Sequence, residues 1–254
     1  MNKIESLNQE FDNQSDAHVD TFHVFALPDI PEIRKGFDIS QIIIEKSLQI
    51  GGLIDNDIVL IASKIISKSE ARIFSTTDIK DVSIEARQMS EKTGKPPELC
   101  QAILNESNKI RITGKTIIGY HKLGYVLTSA GVDRIDNNTI ALIPRDPDDS
   151  ARKIRQRLEK KTKKKLAVIV TDSEGREDRL GAGAVALGVS GIKPVVSIQL
   201  PDGKVTEETI SDMLANSASL IMGQRGKNKP IVIVRGYNFE RDENARMQDY
   251  LTFK

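Results

Sequence analysis

The stretch that decides the fold is Leu166-Ala167-Val168-Ile169-Val170-Thr171-Asp172-Ser173, which follows a cluster of lysines. Its first five residues are apolar, and a continuous apolar run this short predicts a buried strand. A carboxylate and a hydroxyl follow the run, at the strand end where α/β proteins usually place their functional side chains. A second segment, residues 124–133, also passes through apolar residues to an aspartate. We therefore predict that Asp133 and Asp172 meet in the fold and hold a divalent metal ion.

The composition is that of a soluble globular protein, with 254 residues, 29% charged and 39% hydrophobic. The formal net charge of +1 gives no strong attraction to nucleic acid or to an anionic membrane. The single cysteine, Cys100, excludes an intrachain disulfide, and its apolar helical surroundings predict a buried, inert thiol. No apolar run is long enough to cross a bilayer. We expect a cytoplasmic protein that binds neither nucleic acid nor membranes.

Apolar periodicity and turn signals predict a mixed α/β (α+β) chain. Residues 1–20 are polar and are expected to be a disordered lead-in, whereas residues 21–254 form one unit that can divide into subdomains at about 21–145 and 146–254. The predicted helices are 38–50, 82–93, 97–107, a long basic helix from 146, and 206–222. The predicted strands are 57–62, 109–112, 116–121, 125–129, 139–143, 166–173, 195–200 and 230–234.

Polar clusters follow these elements at four places, namely residues 63–68, 133–137, 172–176 and 223–227. Carboxylates and hydroxyls are hard oxygen ligands suited to Mg²⁺ or Mn²⁺, and neighbouring lysines and arginines suit a phosphate-rich substrate. The small-residue stretch 181–188 lacks the Lys-Ser/Thr ending of a P-loop. One cysteine and three scattered histidines offer no zinc-ligand spacing. The combination predicts nucleotide phosphate chemistry without a P-loop.

Each of these residues also has a structural explanation. Aspartates after strands often cap helices or close turns, and taken singly Asp133 and Asp172 are better explained in that way. Lys68 alone is an ordinary surface lysine. His121 follows a predicted strand and is a candidate proton carrier, although an ordinary partly buried histidine explains it as well.

Short anchors along nearly the whole chain, from about residue 22 to residue 236, resemble one family in their order and spacing. They are Ile30-Pro31-Glu32-Ile33 before Gly36, Ala62-Ser63-Lys64-Ile65-Ile66-Ser67-Lys68-Ser69-Glu70-Ala71-Arg72, Glu91-Lys92-Thr93-Gly94, Ala130-Gly131-Val132-Asp133, Asp146-Pro147-Asp148 with Ser150-Ala151, Thr171-Asp172-Ser173 with Gly175-Arg176, Met222-Gly223, and Val232-Ile233-Val234-Arg235-Gly236. The chain resembles the coenzyme F420-0:L-glutamate ligases, the γ-glutamyl ligases of deazaflavin cofactor synthesis. The resemblance implies mixed sheets flanked by helices, and an intertwined homodimer with the site near the subunit interface.

The resemblance also implies a GTP-dependent acid–amino-acid ligase that uses one or two divalent ions, Mg²⁺ or Mn²⁺. In that family the terminal carboxylate of F420-0 is activated as an acyl phosphate, and the amine of L-glutamate attacks it to form an amide. By matched position, the metal-binding residues would be Asp133, Asp172, Ser173 and Gln224, and the catalytic residues Asp133, Asp172 and Lys68. The nucleotide contacts would be Ile30, Pro31, Glu32, Ile33, Ser63, Lys64, Lys68, Asp136, Met222, Gly223, Gln224, Arg225, Gly226 and Lys227.

The sequence departs from the family pattern at four places. Ser173 stands where the family usually has threonine, and its hydroxyl can still offer an oxygen. Asp136 stands where the family usually has asparagine, and Gln224 stands where it usually has a metal-binding glutamate. Residues 177–182 replace a Pro-Trp-Arg-Glu-Gly-Gln type run, and the chain contains no tryptophan. These departures leave two alternatives open: a ligase of the same fold for a different acid and amine, and a nucleotide-binding protein without turnover.

Overall fold

The computed structural model describes residues 20–223 and 226–253, which form a mixed α/β fold. In chain order the strands are β1 (His23–Ala26), β2 (Ile58–Ala62), β3 (Ile73–Ser75), β4 (Ser107–Thr113), β5 (Thr116–His121), β6 (Val126–Thr128), β7 (Asp133–Arg134), β8 (Thr139–Ala141), β9 (Ala167–Gly175), β10 (Ala182–Ser190), β11 (Val195–Gln199), β12 (Val205–Thr209) and β13 (Ile231–Arg235). The α-helices are α1 (Ile39–Ser47), α2 (Ser63–Ser69), α3 (Ile84–Thr93), α4 (Pro97–Glu106), α5 (Pro147–Thr162) and α6 (Ile210–Met222). The expected α+β class is confirmed.

A five-stranded sheet in the order β1-β13-β2-β9-β10 forms the centre of the molecule, and it takes strands from both predicted subdomains. Neighbouring strands are antiparallel except β2 and β9, which run parallel with Ala62 beside Thr171. The strand predicted from the 166–173 stretch is confirmed, and its residues Ala167 to Val170 are fully buried. The carboxyl end of β2 therefore lies beside Thr171, where α2 begins at Ser63 and β9 continues to Gly175.

Local capping signals position the long helix α5 as the sequence predicts. Pro147 occupies its first turn, and the Asp146 carboxylate accepts a hydrogen bond of 2.9 Å from the backbone N–H of Asp149. Proline fits the first turn because the N–H it lacks has no partner there. The Gly188 backbone in β10 lies against this helix start, and a Cβ at Gly188 would fall 2.3 Å from the Pro147 carbonyl carbon. Glycine in this small-residue stretch thus allows a close backbone approach between a strand and a helix start.

A second, smaller core lies beside the central sheet. Helices α3 and α4 contribute Met89, Cys100 and Ile103, and Ala130 and Val132 join them from the segment that precedes β7. Two three-stranded sheets, β4-β5-β6 and β3-β8-β7, accompany this core. The buried Cys100 is confirmed, and burial raises the pKa of its thiol.

The structure contradicts the prediction that a helix starts at Thr206. Residues 205–209 form strand β12, which pairs with β11, and α6 begins only at Ile210. The sequence Thr206-Glu207-Glu208 has the form of a helix cap with an acidic first turn. Pairing of Thr206 with Ile198 across the β11–β12 hairpin overrides that local signal.

Within the described ranges, no helix has the length and apolar character needed to cross a bilayer.

A buried ion pair fixes the end of β13 to the start of β2. Asp57 is fully buried, and the Nε and Nη2 atoms of Arg235 each donate to its carboxylate at 2.8 Å. Replacing Arg235 with Met should lower the free energy of unfolding by about 3–5 kcal/mol, because it leaves a buried carboxylate without its cation. Urea denaturation measures this loss.

Lys204→Met is the matched control, since its pair with Asp202 is largely exposed. Exposed pairs of this kind contribute about 0–1 kcal/mol. Equal, small losses in the two variants would contradict the stabilising role of the Asp57–Arg235 pair.

Candidate active site

A pocket of about 470 Å³ lies at the edge of the sheet where β2 and β9 end. Its walls come from the extended segment after β1, the start of α2, β7, the end of β9, and the end of α6 with the loop that follows it. The sequence-predicted residues that line it are Ile30, Pro31, Glu32, Ile33, Ser63, Lys64, Lys68, Asp133, Asp172, Ser173, Met222, Gly223, Gly226 and Lys227. The fold thus brings into one cavity residues that lie almost two hundred positions apart in the sequence.

Asp133 and Asp172 face this pocket from different sheets, and their charges interact. Burial raises the pKa of Asp172 to about 7, and the negative charge of Asp133 is the next cause of the increase. The backbone N–H of Ser173, which donates to Asp172 Oδ1 at 2.9 Å, acts in the opposite direction. The Ser63 hydroxyl and the Lys64 ammonium also lower the pKa. Both side chains line the same pocket, so the fold brings the two aspartates together as predicted.

Lys64 partly balances this acidic pair. Its Nζ atom lies 2.9 Å from Asp133 Oδ2, and both side chains are about half-buried. A cation at this position lowers the cost of holding two carboxylates together. Positive charge next to these two carboxylates therefore stabilises the structure.

The donor atoms around this place fit a hard divalent cation. Asp133, Asp172 and the Ser173 hydroxyl supply the oxygen ligands that Mg²⁺ and Mn²⁺ prefer. Among the described residues, no group of three or more His, Cys, Asp or Glu side chains is arranged to hold a metal. A complete coordination sphere would thus need oxygens from a ligand, from water or from Gln224, which lies outside the described residues.

Further lysines, from α2 and from the loop after α6, also line the pocket. Lys68 forms an ion pair with Glu32, and Lys227 Nζ donates to the backbone carbonyl of Leu220 at 3.0 Å. Sequence reasoning missed Lys229, which lines the same wall and has no ion pair with any described residue. The basic run Lys227-Asn228-Lys229 before β13 was the available signal. Clustered ammonium groups of this kind suit phosphate oxygens.

Some predicted residues lie elsewhere. Asp136 is exposed in the turn between β7 and β8 and does not line the pocket; its Oδ1 atom accepts a hydrogen bond of 2.8 Å from the Asn138 N–H. That bond lowers the pKa of Asp136. Gln224 and Arg225 lie outside the described residues. His121 is buried away from the pocket, as in the ordinary structural alternative.

Comparison with known proteins agrees with the resemblance found in the sequence. The model of the F420-0:Gamma-glutamyl ligase family matches residues 29–236. The chain belongs to this family. It is 41% identical over 219 residues to the coenzyme F420:L-glutamate ligase of Methanothermobacter thermautotrophicus, covering 82% of this chain and 86% of the relative. The corresponding ligase of Methanosarcina mazei is 38% identical, with 86% and 87% covered, and that of Methanocaldococcus jannaschii is 40% identical, with 72% and 77% covered.

Membership of the F420-0:gamma-glutamyl ligase family confirms the predicted enzyme class, an acid–amino-acid ligase. Residues 177–182, which differ from the family pattern, lie mainly in the exposed connection between β9 and β10, where Leu180 is fully exposed. Glu177 ties this connection to β4, since it pairs with Arg111 at 2.9 Å and accepts a hydrogen bond from Thr113 at 3.3 Å. The altered residues thus lie outside the wall that contains the aspartates and lysines.

Replacing Asp133 with Asn should lower the pKa of Asp172, because it removes a neighbouring negative charge and keeps a side chain of similar size. Titration of carboxyl carbons by ¹³C NMR, with a chelator present to remove metal ions, measures the change. Asp136→Asn is the matched control on the same hairpin and should leave the pKa of Asp172 as it is. No shift in Asp133→Asn would mean that the two carboxylates do not interact.

Proposed function

We propose that this protein joins the carboxylate of coenzyme F420-0 to the amine of L-glutamate, with GTP and a divalent ion, through an acyl phosphate. The acid and the amine are those in the names of the relatives, which are coenzyme F420:L-glutamate ligases. The single observation that carries the proposal is that Asp133 and Asp172 share one pocket with lysines from separate segments. Its volume of about 470 Å³ lies within the usual range for small-molecule sites, about 300–1,000 Å³.

The proposed reaction has two steps. A carboxylate oxygen of the acid attacks the terminal phosphorus of GTP, the bond to the bridging oxygen breaks, and GDP leaves. The glutamate amine then attacks the acyl carbon, the bond to the phosphate oxygen breaks, and phosphate leaves as the nitrogen loses a proton. The products are one amide, GDP and phosphate.

The lysines of the pocket would hold the transferring phosphoryl group. Lys64, Lys68 and Lys227 would donate hydrogen bonds to phosphate oxygens, which requires each to exchange a partner that it has in the structure. Positioned cations of this kind accelerate phosphoryl transfer mainly by aligning the groups and stabilising charge.

Asp133, Asp172 and Ser173 would hold the divalent ion. When bound, Mg²⁺ or Mn²⁺ supplies positive charge that neutralises the phosphate oxygens. The homodimer implied by the family resemblance is part of the same proposal, and a partner subunit would stand near this pocket.

The test is incubation of the purified protein with GTP, Mn²⁺, F420-0 and L-glutamate, followed by mass spectrometry of the deazaflavin product. We expect a product heavier by one glutamyl residue, with one phosphate released for each amide formed. Binding of GTP without this product, but with phosphate release on another acid and amine, would favour a different substrate pair. Binding without phosphate release with any acceptor would favour a protein without turnover.

Asp172→Asn should abolish Mn²⁺-dependent binding of GTP while the protein stays folded, because removing an anionic ligand weakens metal capture more than it disturbs packing. Isothermal titration with GTP, in the presence and absence of Mn²⁺, measures the loss, and circular dichroism checks the fold. Asp136→Asn removes a carboxylate outside the pocket and should bind like the parent. Parent-like binding by Asp172→Asn would contradict the assignment.

A further inference from the structure

The two aspartates of the pocket are attached to different hydrophobic cores. Asp172 lies in β9, and residues Val168 to Val170 of the same strand belong to the larger core. Asp133 directly follows Val132, which belongs to the smaller core together with Ala130. The distance between the carboxylates therefore depends on how the two cores are joined near the pocket.

One partly buried link lies close to both aspartates. Both carboxylate oxygens of Glu174 accept from the backbone N–H of Thr128, at 3.0 and 3.1 Å, and the Thr128 hydroxyl donates to Oε2 at 3.3 Å. Glu174 lies on the same face of β9 as Asp172, because side chains two residues apart on a strand point the same way. It does not line the pocket. Glu174 thus holds Thr128, which leads into the smaller core at Ala130, from a position next to the site.

The segment between Thr128 and Asp133 is a compact turn, so fixing the position of Thr128 also restricts the position of Asp133. Ser129, Ala130 and Gly131 have φ values of 52°, 53° and 68°, all in the left-handed region. The Val132 N–H closes the turn on the Ser129 carbonyl at 2.9 Å. Ala130 packs closely against β5: a Cβ added at Gly119 would lie 2.5 Å from the Cβ of Ala130. A tight turn of this kind moves as a unit, so a shift of Thr128 displaces Asp133.

The strand that leads into Thr128 also packs in the larger core through Tyr125 and Leu127, but neither of these residues holds the Thr128 N–H. Two ion pairs near the same place are largely exposed. The Lys64–Asp133 pair has both side chains 43% exposed, and the Arg111–Glu177 pair has them 50% and 36% exposed. Solvent and salt weaken exposed ion pairs. The hydrogen bonds to Glu174 are partly buried, so solvent weakens them less.

We propose that Glu174 is a positioning residue, which sets the separation of Asp133 and Asp172 by anchoring Thr128. The consequence for metal binding rests on the proposed function, in which both aspartates hold the divalent ion. Partners that orient metal ligands typically change metal affinity by about 10–100-fold when they are removed.

Comparison of Glu174→Ala with Glu174→Gln separates loss of the hydrogen bonds to Thr128 from loss of the negative charge. Glu174→Ala should weaken binding of Mn²⁺ alone by about 10-fold or more, whereas Glu174→Gln keeps an oxygen for the Thr128 N–H and should bind close to the parent. Isothermal titration with Mn²⁺ measures both. Hydrogen–deuterium exchange of residues 128–134 without metal should be faster in Glu174→Ala and parent-like in Glu174→Gln.

The Thr128 side of the link provides an independent pair of variants. Thr128 has φ −59°, which proline can adopt, so Thr128→Pro removes the N–H without forcing the backbone. It should reproduce the loss of Mn²⁺ affinity, whereas Thr128→Val keeps the N–H and should bind close to the parent. If Glu174→Ala does not fold, the difference between the two Thr128 variants decides.

Two results would overturn the proposal. One is parent-like exchange and Mn²⁺ affinity in Glu174→Ala, which would mean that Glu174 anchors nothing. The other is equal weakening in Glu174→Gln and Glu174→Ala, which would mean that Glu174 acts through its charge. A parent protein that binds no Mn²⁺ would instead refute the proposed function, and the exchange measurement would still decide whether Glu174 anchors the turn.

Discussion

Electrostatic repulsion between Asp133 and Asp172 is the constraint around which the pocket is organised. Two carboxylates held close together in a partly buried site repel each other and lose solvation, and both effects raise the pKa of Asp172. The neighbouring groups reduce this cost: Ser173 donates its N–H, and Lys64 supplies a positive charge. A protein that only needed to fold would gain by separating the two acids. Their proximity is therefore better explained by function than by stability.

The sheet topology explains how the chain brings these groups together. Because β2 and β9 are parallel and in register at Ala62 and Thr171, the residues after Ala62 lie beside the residues after Thr171. Ser63 and Lys64 thus stand next to Asp172, in agreement with the general placement of sites at the carboxyl ends of parallel strands. The smaller core supplies Asp133 from the other side, and the loop after α6 supplies Lys227. The pocket is therefore a junction of segments, and its geometry depends on tertiary contacts between them.

The elements that the sequence predicts well are those with local causes. The buried strand β9 follows from its apolar run, and the start of α5 follows from Asp146 and Pro147. The helix start at Thr206 was wrong because pairing with Ile198, on the preceding strand of the hairpin, outweighs the helix-cap signal.

The distinction between local and tertiary causes also applies to the residues of the site. Most pocket residues were found because motifs shared with the family preserve their order, although nothing local reveals that Asp133 and Asp172 meet. The contact of Glu174 with Thr128 spans 46 positions, and no local pattern indicates it. Lys229 was missed for a similar reason, since only the tertiary fold shows which side of its loop faces the pocket.

The ion pairs of the pocket also bear on how metal and nucleotide would bind in the proposed reaction. In the structure, Lys64 compensates Asp133 at 2.9 Å and is not available to another anion without leaving that carboxylate unpaired. A divalent ion on Asp133 would take over this compensation and release Lys64 for a phosphate oxygen. Conversely, a triphosphate that attracts Lys64 would leave Asp133 a stronger ligand for the ion. In the proposed reaction each ligand would thus favour the binding of the other, and because such coupling is reciprocal, the two affinities would change by the same factor. The ion pair between Lys64 and Asp133 would then make metal and nucleotide binding cooperative without any movement of the sheet.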